Sequence, residues 1–439
     1  MSVELIAIIM FGLLIVLLLA GVPLAFVGGG IAAIFVVYLW GVDGFYLVVA
    51  HVFDTMDSYT LVAVPMFVFM ANMLERSGVG EALFRAIHVW TGPLRGSLAV
   101  ATVIACMIIA AMVGIVGAGV VMMGLIALPA MLKRNYSKSM ALGSILAGGT
   151  LGQLIPPSVI FIIYALVAGV SIGKLFMGGL VAGVVLGSLY IAYILIRCYL
   201  QPHLGPPASE EERMISLTQK LVYLRGLIIP GLLMTAVLGT IFLGMATPTE
   251  AAGVGALGAI ISAAIHRQLN WENVKYALFQ TTRATCMIAW IFFGVKAFSA
   301  VFILAGAGKM VEDMIIGLPL GPWGILISMQ VFYLVMGVPM DWLGCLMITG
   351  PIFIPIIKSL GFDPVWFGVL FNVNMQIAYL SPPVGSSMYY LKGVAPPEVS
   401  MGDIFRSVLP FVGCQLIGLS LIIAFPRMIM WLPELVIGG

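Results

Sequence analysis

A chain of 439 residues that is 62% hydrophobic and only 9% charged has too few polar side chains to build a water-facing surface, so it belongs in a bilayer. Its formal charge of +2 comes from Lys and Arg residues scattered along the chain, which leaves no basic patch for nucleic acid. Five cysteines without a CxxC spacing (Cys106, Cys198, Cys286, Cys345, Cys414) and four isolated histidines exclude a disulfide framework and the common metalloenzyme motifs, and the thiols read as single buried groups.

The N-terminus, Met1-Ser2-Val3-Glu4 followed by apolar residues, lacks the basic region of a secretory signal and reads as a first transmembrane helix. Helix a spans about Leu5–Leu19 and helix b about Pro23–Trp40. A connector with Asp43, Asp54 and Asp57 leads to helix c, about Leu61–Leu74, and then to the mixed segment Glu75–Arg95, which reads as an interfacial helix lying flat. Two apolar segments follow, and each is interrupted: 97–132 at Val113–Gly119, and 137–168 at Gly148–Ser158, which contains Pro156-Pro157. Glycines and a Pro-Pro pair stop a helix, and inside a membrane such backbone is tolerated only where protein buries it or where it lines a cavity. A further span, Leu175–Arg197, closes this half. The polar stretch Gln201–Lys220, with Pro206-Pro207 and Glu210-Glu211-Glu212, reads as a linker.

The second half repeats the first. Gly124, Pro129, Pro156, Pro157 and Tyr164 recur 226 residues later as Gly350, Pro355, Pro382, Pro383 and Tyr390, and Gly80 recurs as Gly306. Pro23, Gly28 and Gly30 recur at an offset of 225, and Val170-Ser171-x-Gly173-x-x-Phe176 recurs at 229 as Val399-Ser400-x-Gly402-x-x-Phe405. The interruptions recur too, at Gly337–Gly344 and within Asn374–Ser387. A long internal repeat with paired helix breaks is the mark of many secondary transporters.

Charge orients the repeat. If 97–132 is a re-entrant hairpin, each half crosses five times, and an odd number inverts the second half relative to the first. With the N-terminus outside, fifteen of the twenty Lys and Arg residues face inside; Lys174, Lys309, Lys358 and Arg427 face outside, and Lys296 stays in the membrane. The positive-inside rule selects this orientation. The expected fold is thus an all-α integral membrane protein of two inverted-topology repeats. The first is 1–200, with a hairpin at about 97–132 and a broken helix at about 137–168. A cytoplasmic linker, 201–220, precedes the second, 221–439, with a hairpin at about 322–360 and a broken helix at about 365–392.

Two hairpin tips and two broken helices would meet near the midplane, where unwound carbonyls suit a small cation such as sodium and half-helix N-termini suit an anion. The first tip offers almost no side-chain oxygen, so a cation there is held by carbonyls, helped by Thr150 or Gln153. The second is richer, with Asp341, Asn374, Gln376 and Ser381 near its breaks. Thr150, Gln153, Asn374 and Ser386 are the candidate substrate contacts. Asp341 is the candidate for ion binding, Glu250 reads as a helix cap, and Lys296 reads as a structural pair or subunit contact. No GxxxxGK[ST] loop occurs, so transport must draw on an ion gradient or another chain.

Gly124-x-x-x-x-Pro129-Ala130-Met131, Leu154-Ile155-Pro156-Pro157-Ser158, Val170-Ser171-Ile172-Gly173, Thr247-Pro248-Thr249-Glu250-Ala251, Asp341 and Ser381-Pro382-Pro383-Val384-Gly385, in this order, resemble the large membrane (M) subunit of tripartite ATP-independent periplasmic (TRAP) transporters, DctM-like, over essentially the whole chain. The resemblance implies a sodium-coupled elevator-type importer of an organic anion in the bacterial inner membrane. It implies a DctQ-like small membrane subunit and a DctP-like periplasmic substrate-binding protein as partners, a periplasmic N-terminus, and no cofactor or enzymatic activity. Carried over, the first sodium site would use Val113, Gly114, Gly152, Ile155 and Pro156, and the second Gly337, Asp341, Gln376 and Ser381. The family's first tip commonly reads Ser-Gly-Ser; here Val113-Gly114-Ile115 lacks both hydroxyls. A stand-alone sodium/carboxylate symporter with a similar repeat is the alternative, and a proton-translocating enzyme subunit a remote one.

Overall fold

The computed structural model describes residues 2–114, 116–207 and 216–438, and its regular elements are all helical. Ile115 and the acidic part of the linker, Glu210 to Glu212, lie outside the described residues. The first half contains α1 (Val3–Leu19), α2 (Leu24–Trp40), α3 (Phe45–Met56), α4 (Ala63–Glu75), α5 (Val79–Thr91), α6 (Ser97–Val113), α7 (Val116–Lys133), α8 (Lys138–Thr150), α9 (Val159–Ala168) and α10 (Ile172–Leu200). After the short α11 (Leu217–Tyr223), the second half contains α12 (Arg225–Phe242), α13 (Pro248–Ile265), α14 (Trp271–Leu304), α15 (Ala307–Ile316), α16 (Gly321–Met336), α17 (Trp342–Ser359), α18 (Pro364–Leu380), α19 (Ser386–Val394), α20 (Met401–Ala424) and α21 (Arg427–Ile437). Among the described residues, seven helices are long and apolar enough to cross a membrane, or up to nine if each sharply bent pair is one span.

Repeated motifs turn out to be helix starts. In Val-Ser-x-Gly-x-x-Phe the serine is an N-cap: Ser171 Oγ accepts from Lys174 N–H at 3.3 Å, and Ser400 Oγ from Asp403 N–H at 3.1 Å. Thr247 and Glu250 form a reciprocal capping box at α13, which gives Glu250 the structural role expected of it. Two local readings need correction, on the connector and the cysteines, and the linker gains a detail. The connector after helix b folds into α3, since no Gly or Pro falls between Phe45 and Met56 to stop it. The linker begins docked: Leu204 and Gly205 carbonyls accept from Ser137 and Gly96 N–H. Cys286 is exposed and Cys414 half-buried, because the outward faces of membrane helices are as apolar as their inward ones.

Contacts between the halves come in pairs that exchange when the halves are exchanged. α4 packs on α13 as α14 packs on α2; α8 packs on α20 as α18 packs on α10; α7 packs on α19 as α17 packs on α9. The tightest approach is α2 against α14. A Cβ on Gly294 would lie 2.0 Å from the Ala25 carbonyl oxygen, and one on Gly28 would lie 2.7 Å from the Gly294 oxygen. Only glycine allows this backbone contact, the usual way membrane helices gain packing where water expulsion contributes nothing.

Both interrupted helical pairs close at their bases. Leu98 N–H, at the start of α6, donates to Tyr136 OH just beyond α7 at 3.2 Å. Trp323, at the start of α16, meets Phe362 just beyond α17 edge-to-face at 5.1 Å. α6–α7 and α16–α17 are therefore hairpins whose tips lie at Gly114 and at residues 337–341.

Gly294→Ala should destabilise the purified protein by several kcal/mol, as an overpacked backbone contact does, whereas Gly253→Ala, at an exposed position with nothing within 4 Å of the added methyl, should change stability by no more than about 0.5 kcal/mol. Thermal denaturation of both variants checks this, and equal effects would contradict the assignment of α2–α14 as the tightest seam.

Candidate functional site

Each hairpin tip is set against a helix break. The first break follows α8: a short 3-10 turn at Leu151–Gln153, then Leu154 to Ser158 with a cis Pro156-Pro157 bond, then α9. Gly114 ends α6 with φ of +65°, and a Cβ there would lie 1.9 Å from the Pro157 carbonyl oxygen. Both its backbone conformation and the space beside it require glycine. Val113, Gly114, Gly152, Ile155 and Pro156 are all buried in this tip-to-break contact. Their side chains bring no polar atom, so carbonyls are the available ligands.

The second break, between α18 and α19, contains cis Pro382-Pro383. Here tip and break enclose a cavity of about 150 Å³ lined by Gly337, Asp341, Tyr379, Gly385 and Ser386 among others. Asp341 Oδ1 caps α17, accepting from Leu343 and Gly344 N–H at 2.9 and 3.2 Å, and Oδ2 makes no hydrogen bond among the described residues. The N-termini of α17 and α19 and the C-termini of α16 and α18 all reach this cavity. It therefore offers amide N–H groups to an anion, and carbonyls with one carboxylate to a cation.

A belt of buried carboxamides ties the two breaks together. Gln376 Nε2 donates to Thr150 Oγ1 at 3.3 Å and to Tyr190 OH at 3.2 Å. Asn372, one turn earlier on the same face of α18, donates to the Gln153 carbonyl at 2.9 Å, and Gln153 Nε2 returns a longer bond to the Asn372 carbonyl at 3.5 Å. Ser158 Oγ also donates to the Gln153 carbonyl. Gln415 of α20 reaches the Gln376 carbonyl at 3.5 Å. On another face of α18, Asn374 donates to Gln330 Oε1 of α16. The side-chain oxygens of Gln153, Asn372, Asn374, Gln376 and Gln415 are all buried and accept no hydrogen bond from the described residues. Such a surplus of acceptors costs about 1–3 kcal/mol for each group left dry, and it suits water or a small cation.

The residues singled out in the sequence therefore fall into three places. Val113, Gly114, Gly152, Ile155 and Pro156 lie at the first tip-to-break contact, while Gly337, Asp341 and Ser386 line the cavity at the second. Thr150, Gln153, Asn374 and Gln376 lie in the belt; Gln376 is turned to the first half and is not among the residues lining the Asp341 cavity. Ser381 donates its hydroxyl to the Ile377 carbonyl at 2.8 Å. Tyr190, Asn372, Tyr379 and Gln415 were not expected. The Asn372/Gln376 spacing of four residues was the readable signal, since it puts both amides on one helical face.

The family described as "Tripartite ATP-independent periplasmic transporter, DctM component" matches residues 11–428. The chain belongs to this TRAP transporter family. A C4-dicarboxylate TRAP transporter large permease protein DctM of Vibrio cholerae is 32% identical to it, covering 100% of this chain and 99% of the relative. An isethionate TRAP transporter permease protein DctMQ of Oleidesulfovibrio alaskensis is 30% identical over 93% of this chain and 63% of that longer protein. The Alcanivorax borkumensis YdaH transporter superposes with a TM-score of 0.65 at 13% identity, covering 94% of this chain and 98% of that one, so the fold is shared with a membrane transporter. The TRAP family consists of transport permeases rather than enzymes, and membership implies a small subunit and a substrate-binding protein as partners; the DctMQ relative fits this.

Gln376→Leu leaves Thr150 and Tyr190 without that partner in a buried setting, and should cost about 1–3 kcal/mol. Combining it with Thr150→Val should cost less than the sum of the two single changes, because the second removes one stranded group. Thermal stability of the four proteins in one detergent measures the coupling, and strict additivity would show that the contact carries no energy.

Proposed function

We propose that this TRAP large permease carries a small organic anion, a carboxylate, across the bacterial inner membrane by sodium-coupled secondary transport, working with a small membrane subunit and a periplasmic binding protein. The observation that carries the reading is the convergence of two hairpin tips on two helix breaks. One tip-to-break contact presents backbone alone, and the other presents Asp341 with the ends of four helices around a cavity. Sodium is matched by carbonyls at the first and by Asp341 with neighbouring carbonyls at the second. The N-termini of α17 and α19 match an anionic group of the solute. C4-dicarboxylate and isethionate, the substrates for which the two relatives are named, are small organic anions and support that class.

In this reading the repeats are inverted, with a periplasmic N-terminus and a cytoplasmic linker, which the charge distribution and the exchangeable contacts between halves support. The transport unit comprises the two hairpins, the two broken helices, α10 and α20, because the carboxamide belt ties the second hairpin, the broken helices, α10 and α20 together and Gly114 packs the first hairpin on its break. The scaffold is the α2–α14 and α4–α13 pairing. Its outward faces, with Phe26, Ile34, Leu257, Ile261 and Trp290 exposed, meet lipid and the small subunit. An elevator movement of the unit along this scaffold completes the cycle.

In proteoliposomes holding the large and small subunits, uptake of a radiolabelled organic acid should require both an inward sodium gradient and the cognate binding protein. Uptake without the binding protein would contradict the tripartite reading. Asp341→Asn should raise the sodium concentration for half-maximal uptake about tenfold, equivalent to ~1.4 kcal/mol. An unchanged sodium dependence would remove Asp341 from the ion site.

A further inference from the structure

A second polar cavity lies away from both tip-to-break contacts. Its volume is about 410 Å³, and it sits on the seam between the scaffold and the transport unit. One wall is α3 and α14, which contribute His51, Lys296 and Ser299; the other is the end of α9 and the α17 arm of the second hairpin, which contribute Ala168, Pro351 and Lys358. Among the described residues, no carboxylate lines it. The remaining lining is aliphatic, which fits the carbon skeleton of a small organic molecule or the top of an acyl chain.

The two ammonium groups are under-compensated for such a setting. Lys358 Nζ donates to the Ala168 carbonyl at the C-terminal end of α9, 3.1 Å away, which uses one of its three donors. Lys296 is half-buried midway along α14, and among the described residues its close neighbour of complementary charge is the ring face of Phe292, 5.6 Å from Nζ. Asp54, whose charge acts on Lys296 from α3, lines a different pocket with Asp57 and not this one. His51, held through Nδ1 to the Leu47 carbonyl at 2.9 Å, adds a third nitrogen-bearing side chain to the rim. Intramembrane cations are costly unless an opposite charge meets them, and an anion held in this cavity would meet both lysines that line it.

We propose that this seam cavity is a second anion site, which takes a carboxylate or phosphate group between Lys296 and Lys358. Ser299 supplies a neutral hydroxyl beside them. The source of the group is either a soluble organic acid held ahead of the central cavity or the headgroup of an anionic lipid reaching in from the bilayer. Because one lysine belongs to the scaffold and the other to the second hairpin, the pair faces one bound group only in conformations that keep the two walls opposed. This last point rests on the elevator reading above; the existence of the site does not.

Thermal stability of the purified large-and-small-subunit complex tests the proposal. One arm titrates succinate in neutral detergent. The other compares nanodiscs of phosphatidylcholine with nanodiscs containing phosphatidylglycerol. The expected result is a saturable rise in Tm with at least one probe, and the responding probe identifies the source. Lys296→Gln and Lys358→Gln should each shift the midpoint of that rise at least tenfold, while Lys296→Arg keeps it, which guards against a variant that merely folds poorly. Asp341→Asn should keep it too, since Asp341 lines the other cavity. Midpoints unchanged in both glutamine variants, or no saturable effect of either probe, would overturn the site. A rise abolished by Asp341→Asn but kept by Lys296→Gln would place the anion in the central cavity, leaving the transport reading intact and this inference wrong.

Discussion

The helix α18 holds the functional region together, and it does so through amides. A helix buried on all sides in a membrane protein has no water to satisfy a polar side chain, so each amide must find its partner on a neighbouring element or stand unpaired. Asn372 and Gln376 reach the first break and α10, Asn374 reaches the α16 arm of the second hairpin, and Gln415 returns from α20 to the α18 backbone. Both helix breaks and the second hairpin are thereby referred to one helix, and the first hairpin joins them through the Gly114–Pro157 contact at its own break. Apolar packing alone is non-directional and would let these elements slip; hydrogen bonds with a stranded-group penalty fix their register.

The two halves use this frame unequally. The same succession of hairpin and broken helix occurs in both, and the contacts between them exchange in pairs. Chemically they have diverged. At the first tip Gly114 packs directly on the Pro157 carbonyl and leaves side chains out of the contact. At the second tip Asp341 caps a helix beside a cavity. A backbone-only contact discriminates by size and geometry, whereas a carboxylate next to helix ends adds charge. The two contacts thus have different capacities for a cation and for an anion.

Much of the architecture was legible because membrane constraints are severe. Apolar runs marked the helices, and Pro156-Pro157 and Pro382-Pro383 marked where α8 and α18 stop, since proline cannot continue a helical ladder. The family motifs were equally legible, and the motif Val-Ser-x-Gly-x-x-Phe acquired a physical reason once Ser171 and Ser400 proved to be caps. What escaped was direction. Sequence order places Gln376 close to Ser381 and thus near the second break, but the five-residue separation puts it on a different face of α18, turned toward Thr150 in the other half. The same limit hid Tyr190 and Gln415, which come from helices that read as plain apolar spans, and the Lys296–Lys358 cavity, whose walls come from four helices far apart in the chain. Those partnerships are tertiary, and no local period encodes them.

The central claim is that the elements on the carboxamide belt move as one body against the α2–α14 and α4–α13 scaffold. Pulsed electron–electron distance measurements test it most directly, with spin labels in a cysteine-free background at exposed positions: Val184 on α10 paired with Leu416 on α20 inside the unit, and Leu416 paired with Ile261 on α13 across the seam. Between sodium-free and sodium-plus-substrate conditions, the account predicts an unchanged Val184–Leu416 distance and a Leu416–Ile261 distribution that shifts by several ångström or splits in two. A fixed distance across the seam, or a change inside the unit as large as the one across it, would contradict it.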